Sequence, residues 1–285
     1  MLYVEVNENG AELSSLFSKK SKTEFLWQGN PAIWGQRAPV LFPIVGRLKD
    51  GKYEYGGKSY EMPSHGFASK SVFSAETTED GSLILSMSDD KESRAMYPFS
   101  FVFRVIFTLK WNVLETIYQV ENKTNGPMYF SFGSHEGYRC PRMPGESFDD
   151  YYIEFDHDNV YKCWTVSPNG LLTEPLEPRI DGGKRLQLNY GLFENDSLVF
   201  SDVPSGKISL GTNKSQTRVE IEYDDAPNVL IWTKAGAPYV CIEPWYGLPD
   251  FEDSSGDFTS KRGIISLEKG ASFDWRHTIS IYEAR

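Results

Sequence analysis

Two of the chain's four histidines, one glutamate and one arginine stand where ordinary strands have no need of them. His65 lies in Met62-Pro-Ser-His-Gly-Phe67 and His135 in Ser131-Phe-Gly-Ser-His-Glu-Gly-Tyr-Arg-Cys-Pro141, both turns bounded by Gly and Pro. Glu243 continues the apolar run Tyr239-Val-Cys-Ile into Glu-Pro-Trp245, and Arg47 closes Ala38-Pro-Val-Leu-Phe-Pro-Ile-Val-Gly-Arg47. An imidazole exchanges protons near neutrality, and a carboxylate leaving a buried strand becomes a better proton acceptor there because burial raises its pKa. A neighbouring arginine acts in the opposite sense. Together these residues form an acid/base set with an anchor. Each also has a plainer reading: a His beside Gly can bond a local carbonyl, and an Arg can cap a turn with its fork of donors. His157, between Asp156 and Asp158, reads as an exposed charged loop, and His277 as the start of the terminal strand. Pro244 is expected to end its ladder, which places Glu243 at a strand terminus. Spacing alone leaves the convergence of the set open.

The elements that must carry these residues are strands. In Phe99 to Leu109 every odd position is apolar, while Ser100, Arg104 and Thr108 fall on the other face. Arg218-Val-Glu-Ile-Glu-Tyr223 alternates in the same way, the pattern of an antiparallel strand with one wet face. Shorter runs cover 82–87, 229–233, 239–242, 264–267 and 278–282. Asp50-Gly51, Gly56-Gly57, Asp80-Gly81, Asn125-Gly126 and Asn169-Gly170 supply turn residues for hairpins. One short helix is expected over 90–96, stopped by Tyr97-Pro98. No βαβ alternation is visible. Turn spacing implies ~20 short strands, and the expected class is all-β, one large antiparallel β-sandwich spanning 1–285 as a single domain.

Composition narrows the partners. The chain has 285 residues, 40 Asp+Glu against 29 Lys+Arg, and a formal charge of −11, with no Lys/Arg run. A nucleic-acid partner is therefore excluded from the expectation. Eighteen Phe, sixteen Tyr and seven Trp suit a large packed core and argue against a disordered acidic chain. The N-terminal Met1-Leu-Tyr-Val-Glu-Val has no basic region, and no apolar run approaches the roughly 18 residues of a membrane span. No membrane association and a cytoplasmic location are the expectation. Cys140, Cys163 and Cys241 show no CxxC spacing, so buried free thiols are expected, with neither a disulfide framework nor a metal site.

At the four unusual segments the chain resembles the aldose 1-epimerase (galactose mutarotase-like) family, most closely its LacX-type bacterial branch. The matching motifs are Trp34 with the Ala-Pro-x-Leu-Phe-Pro-Ile-Val-Gly-Arg run ending at Arg47, Pro-Ser-His-Gly-Phe-Ala at His65, Gly-x-His at His135 followed by Cys140-Pro141, and Ile-Glu-Pro-Trp at Glu243. Their order runs from residue 27 to 250. The resemblance implies a galactose mutarotase-like supersandwich that binds a hexose in an open groove and interconverts its α and β anomers without a cofactor. It assigns Glu243 as general base, His135 as general acid, His65 as the histidine that holds or polarises the ring oxygen, and Arg47 as a hydroxyl anchor. Asp196 matches the family's sugar-binding aspartate, with an ordinary turn Asp as the alternative. Trp34, Trp164 and Trp245 are either sugar-facing rings or core. The partner is thus a small-molecule sugar, and the protein a monomer or homodimer.

Two departures bear on the substrate. Glu136, Gly137 and Tyr138 follow His135 where the family usually has Pro-x-Phe. Ser69 and Lys70 stand where arginine often continues the His65 motif. An extra carboxylate at Glu136 would stabilise an imidazolium it approaches, or touch a different substrate. A phosphorylated hexose is the rival substrate, with Arg37, Arg47 and Lys70 as the basic residues near the motifs. A non-catalytic carbohydrate-binding domain is the rival class. Glycoside hydrolysis usually requires two carboxylates flanking the bond, and only one stands out here.

Overall fold

The structure, a computed structural model, describes residues 1–203 and 206–284. Alternation becomes architecture most plainly in Phe101–Lys110, where Phe101, Phe103, Val105 and Phe107 are buried and the residues between them are half-open. Each fully buried Phe contributes about 1.5–3 kcal/mol by leaving water. Phe42, delivered by the Pro-rich run that ends at Arg47, stacks on Phe103 at 4.6 Å and binds that run to the core.

Among the described residues, fourteen strands join one antiparallel sheet. Its path runs from Phe132–Gly133 through Tyr239–Tyr246, Asn228–Trp232, Leu198–Ser201, Tyr151–Val166, Gly206–Thr212 and Ser215–Tyr223. It continues through Ser272–Tyr282, Val113–Asn122, Phe101–Lys110 and Leu83–Ser88 to Ser74–Thr77. Glu136–Arg139 adds to Tyr239–Tyr246, and Leu172–Gln187 to Tyr151–Val166. The long sheet folds back on itself, because its twist and its apolar faces are satisfied together only by a two-layer sandwich. Three small sheets close the ends: Leu2–Asn7 with Glu12–Ser18 and Thr23–Glu24, Lys52–Tyr55 with Lys58–Glu61, and Met128–Phe130 with Ile265–Leu267. The all-β sandwich is as expected, and among the described residues no helix is long and apolar enough to cross a membrane. Cys140, Cys163 and Cys241 are buried and free.

Gly56-Gly57, Asp80-Gly81 and Asn169-Gly170 each turn a hairpin between paired strands. Asn125-Gly126 does not, because Met128–Phe130 crosses to Ile265–Leu267 instead of pairing back. The expected helix forms at Lys91–Met96. Asp90 caps it by accepting from Ser93 N at 2.7 Å, while Ser93 Oγ accepts from Asp90 N.

Three local expectations are corrected. The strand carrying Glu243 runs on through Pro244 to Tyr246, so Glu243 lies inside it and not at its terminus. Pro244 is tolerated because it faces Ser134, the gap between Phe132–Gly133 and Glu136–Arg139; there its carbonyl accepts from Ser134 N at 3.3 Å. The terminal strand begins at Ser272, so His277 is an interior residue, buried and not marginal. The charged outward positions Asp274 and Arg276 hide the inward Trp275 and His277 from a reading that seeks apolar runs. His157 is exposed as expected, but within the long Tyr151–Val166 strand rather than a loop.

Candidate active site

Strand register decides which side chains meet. Leu230 pairs with Glu243 and Trp232 with Cys241, so these four share one face of two adjacent strands. On the other flank of Tyr239–Tyr246, Glu136 pairs with Ile242 and Gly137 with Cys241, so His135 is carried to the rung of Glu243. His135 Nε2 accordingly lies 3.4 Å from Glu243 Oε2.

The floor of a groove of about 350 Å³ is built here. His135 forms part of it together with His65, Trp34, Trp232, Trp245 and Leu230, and Arg47, Lys70, Asp196 and Ser197 stand along the walls. Glu243 is 0% exposed and lies beneath His135, outside the set of groove-lining side chains. Neither of its carboxyl oxygens has a hydrogen-bond partner, and the His135 contact is close without being a hydrogen bond. A buried carboxyl without partners is costly to the fold, a cost met more often at functional sites than in ordinary cores.

Small residues make room for the aromatic walls. Trp34 stacks on His135 with ring centres 5.1 Å apart. A Cβ at Gly137 would stand 2.7 Å from the Trp34 ring, so only glycine lets that ring lie down. Gly133 does the same for Trp245, which is 2% exposed and donates from Nε1 to Ser134 O at 3.1 Å. Trp232 meets His135 edge-on at 5.8 Å.

His65 is placed by strained backbone: it takes φ 65 and Gly66 takes φ 72, with a Cβ at Gly66 running into Phe42 O. Its Nδ1 accepts from Gly46 N at 3.2 Å. That bond fixes the tautomer, leaving Nε2 as the N–H that can donate to a groove ligand. Part of the residue opens to the groove, but its ring is hemmed by His135 and Trp245, and burial followed by the Arg47 charge lowers its pKa to about 4. His65 is therefore a neutral donor at pH 7. Arg47 is exposed and lies across the Asn169-Gly170 turn, donating from Nη1 to Asn169 O at 3.3 Å. Asp196 is exposed with φ 76, its amide donating to Phe193 O at 3.2 Å.

Glu243 and His135 are shifted in opposite directions. Burial first, then the charges of Glu136 and Asp196, hold the Glu243 carboxyl well above the ordinary carboxylate range. Burial and then His65 push His135 well below the usual imidazole value. Both directions favour a proton on Glu243 and a neutral His135, the reverse of a carboxylate facing an imidazolium. Both arrangements hold the same number of protons, so a shift across one contact converts them. Among the described residues, the N, S and O donors of His135, Cys241 and Glu243 lie within 4.8 Å of one another. Burial holds the Cys241 thiol far above its usual value.

Of the residues singled out in the sequence, Glu243, His135, His65, Trp34, Trp245, Arg47 and Asp196 all gather at this groove. Trp164 does not line it; its Nε1 donates to Ser201 Oγ and its ring abuts Phe251. Glu136 does not reach it either, because it follows His135 in extended chain and so faces the opposite side. Trp232 also lines the groove without having been singled out from the sequence, and Lys70, noted there as a basic residue near the motifs, lines it too. Trp232 was legible as the even position of a strand whose odd positions, Val229 and Ile231, fill the core.

A family model described as aldose 1-epimerase matches residues 2–280. The plasmid-encoded protein LacX of Lactococcus lactis subsp. lactis is 32% identical over 260 residues, covering 87% of this chain and 85% of the relative. A galactose mutarotase related enzyme from Lactobacillus acidophilus has the same fold, with a TM-score of 0.94 and 36% identity over 99% of this chain and 95% of that one. A galactose mutarotase-like protein from Lactobacillus casei gives a TM-score of 0.92 and 26% identity over 99% and 97%.

Proposed function

The chain belongs to the aldose 1-epimerase family, and from that premise we propose that it is a mutarotase that interconverts the α and β anomers of a hexose. The observation that carries this reading is the buried, unpartnered Glu243 carboxyl 3.4 Å from His135 under an aromatic-walled groove. The two oxygens that exchange protons in mutarotation are bonded to the same carbon. An acid and a base that each come within hydrogen-bond reach of one of these oxygens must therefore stand within a few ångströms of each other, and the 3.4 Å contact of Glu243 and His135 meets that condition.

Glu243 is the base and His135 the acid. Sugar hydroxyls donating to Glu243 favour its ionised form and send its proton to His135. Glu243 then takes the proton of the anomeric hydroxyl while His135 gives its own to the ring oxygen. The bond between the anomeric carbon and the ring oxygen breaks, and the anomeric carbon becomes a carbonyl. Rotation about the adjacent carbon–carbon bond presents the other face. Reclosure reverses both transfers and restores the pair, so no net proton and no cofactor is consumed. His65 Nε2–H steadies the ring oxygen, while Arg47 and Asp196 hold hydroxyls. Trp34, Trp232 and Trp245 offer ring faces to the apolar side of the sugar.

A second reading keeps the chemistry and changes the substrate. Arg47 and Lys70 both line the groove, a pair of cations that suits a phosphoryl group on the sugar. Polarimetry on aldohexoses and on their 6-phosphates tests both readings. Faster exchange of the free sugar supports the first, and exchange only with the phosphate supports the second. Sugar binding without acceleration of either would identify a carbohydrate-binding domain and refute the enzyme.

A further inference from the structure

A second carboxylate–histidine pair stands back to back with the catalytic one. His135 and Glu136 are consecutive in extended chain, so when His135 faces the groove Glu136 faces the core. Glu136 and its ladder partner Ile242 point to the same side, one residue away from Glu243 on the opposite side. Inside the core Glu136 Oε1 meets His277 Nε2 at 3.3 Å, with Glu136 4% and His277 1% exposed. His277 belongs to Ser272–Tyr282, separated from Glu136–Arg139 by six intervening strands along the sheet, so the contact crosses the sandwich. Its ring lies parallel to Tyr118 at 5.7 Å and against Trp275 at 5.2 Å.

Such a pair is a poor device for stability. Two ionisable groups lose their water here, Glu136 Oε2 and both His277 ring nitrogens have no hydrogen-bond partner among the described residues, and apolar residues of similar volume would usually serve the core as well or better. Its position suggests a different use. We propose that Glu136, in contact with His277 across the sandwich, is a positioning residue for the reaction, fixing the chain at His135 and placing a carboxylate behind Glu243. The direction of its effect on Glu243 follows from charge. After burial, Glu136 is the leading cause that holds the Glu243 carboxyl up. The other groups facing Glu243 are His135, Cys241, Tyr239 and Asp196, all on the groove side. Those around Glu136 are His277, Tyr118, Tyr138 and Cys241. His65 and Arg47 act on the set through His135. Among these, Glu136 is the carboxylate on the core side.

The inference rests on the mutarotase reading, and one experiment separates the two. The pH profile of kcat/KM for anomer exchange is recorded for wild type, Glu136→Gln, Glu136→Met and Glu136→Asp. The basic limb reports loss of the proton shared by Glu243 and His135. Removing the Glu136 charge makes Glu243 ionise more easily, so Gln and Met move that limb to lower pH by about 1 unit. Asp keeps the charge and leaves the limb near the wild-type position. An unmoved limb in Gln or Met, with only a lower rate or a lower melting temperature, overturns the inference. Failure of both Gln and Met to fold also overturns it, since the pair would then be structural. Wild-type protein that does not accelerate exchange refutes the mutarotase reading itself.

Discussion

In the proposed mechanism the requirements of catalysis and of stability oppose each other at Glu243. The folded state holds this carboxyl protonated to well above the ordinary range, whereas the unfolded chain ionises it normally. A group whose pKa is raised on folding contributes stability below the unfolded pKa and loses it as pH rises through the folded one. Glu243→Gln, which is never charged, is therefore expected to melt at a higher temperature than wild type at pH 8. The gain should fade toward pH 4, where the unfolded Glu243 is protonated as well. Differential scanning calorimetry at the two pH values checks this, and an equal or lower melting temperature at pH 8 contradicts it. His65 works in the other sense. Its pKa falls from 6.5 to about 4 on folding, so stability declines as pH drops through that window, and His65→Gln should flatten that decline.

At the scale of elements, the site depends on glycines that let aromatic rings lie against strands. Gly137→Ala places a methyl 2.7 Å from the Trp34 ring and must displace it from His135. Overpacking of this kind costs about 1–3 kcal/mol, and the loss of stacking should lower exchange at least tenfold. A melting curve with a polarimetric assay tests both, and wild-type values would remove Trp34 from the site. Much of this arrangement was legible beforehand. Period-two alternation gave the long strands, and the Gly/Pro-bounded His65 and His135 segments marked themselves as more than ladder. What stayed hidden was relational. Pro244 reads as a strand breaker until the gap at Ser134 is seen to face it. The orientation of Glu136 follows from its phase relative to His135, and its partner His277, 141 positions along the chain, is visible only once the sheet has folded over. The proton distribution of the catalytic pair likewise depends on burial that no local pattern encodes.

Over the whole molecule, the sheet path binds residues from both halves of the chain into one set of layers, and the Glu136–His277 contact ties those layers together. We propose that 1–285 behaves as one domain. A single unfolding transition is expected, with tryptophan fluorescence and far-ultraviolet circular dichroism coincident, and two separated transitions would divide the chain into domains. The charge of −11 leaves room for a phosphosugar, because Arg47 and Lys70 both line the groove and give it local positive charge against the global sign. The central claim is that this groove moves protons on and off one sugar carbon. It is tested most directly by polarimetric anomer exchange of glucose and galactose with wild type, Glu243→Gln and His135→Asn. Wild type is expected to accelerate exchange and each variant to lose at least about a hundredfold, the scale of one positioned acid or base. Near wild-type rates in either folded variant would contradict the assignment of that residue, and no acceleration by wild type on any aldohexose or its 6-phosphate would contradict the account.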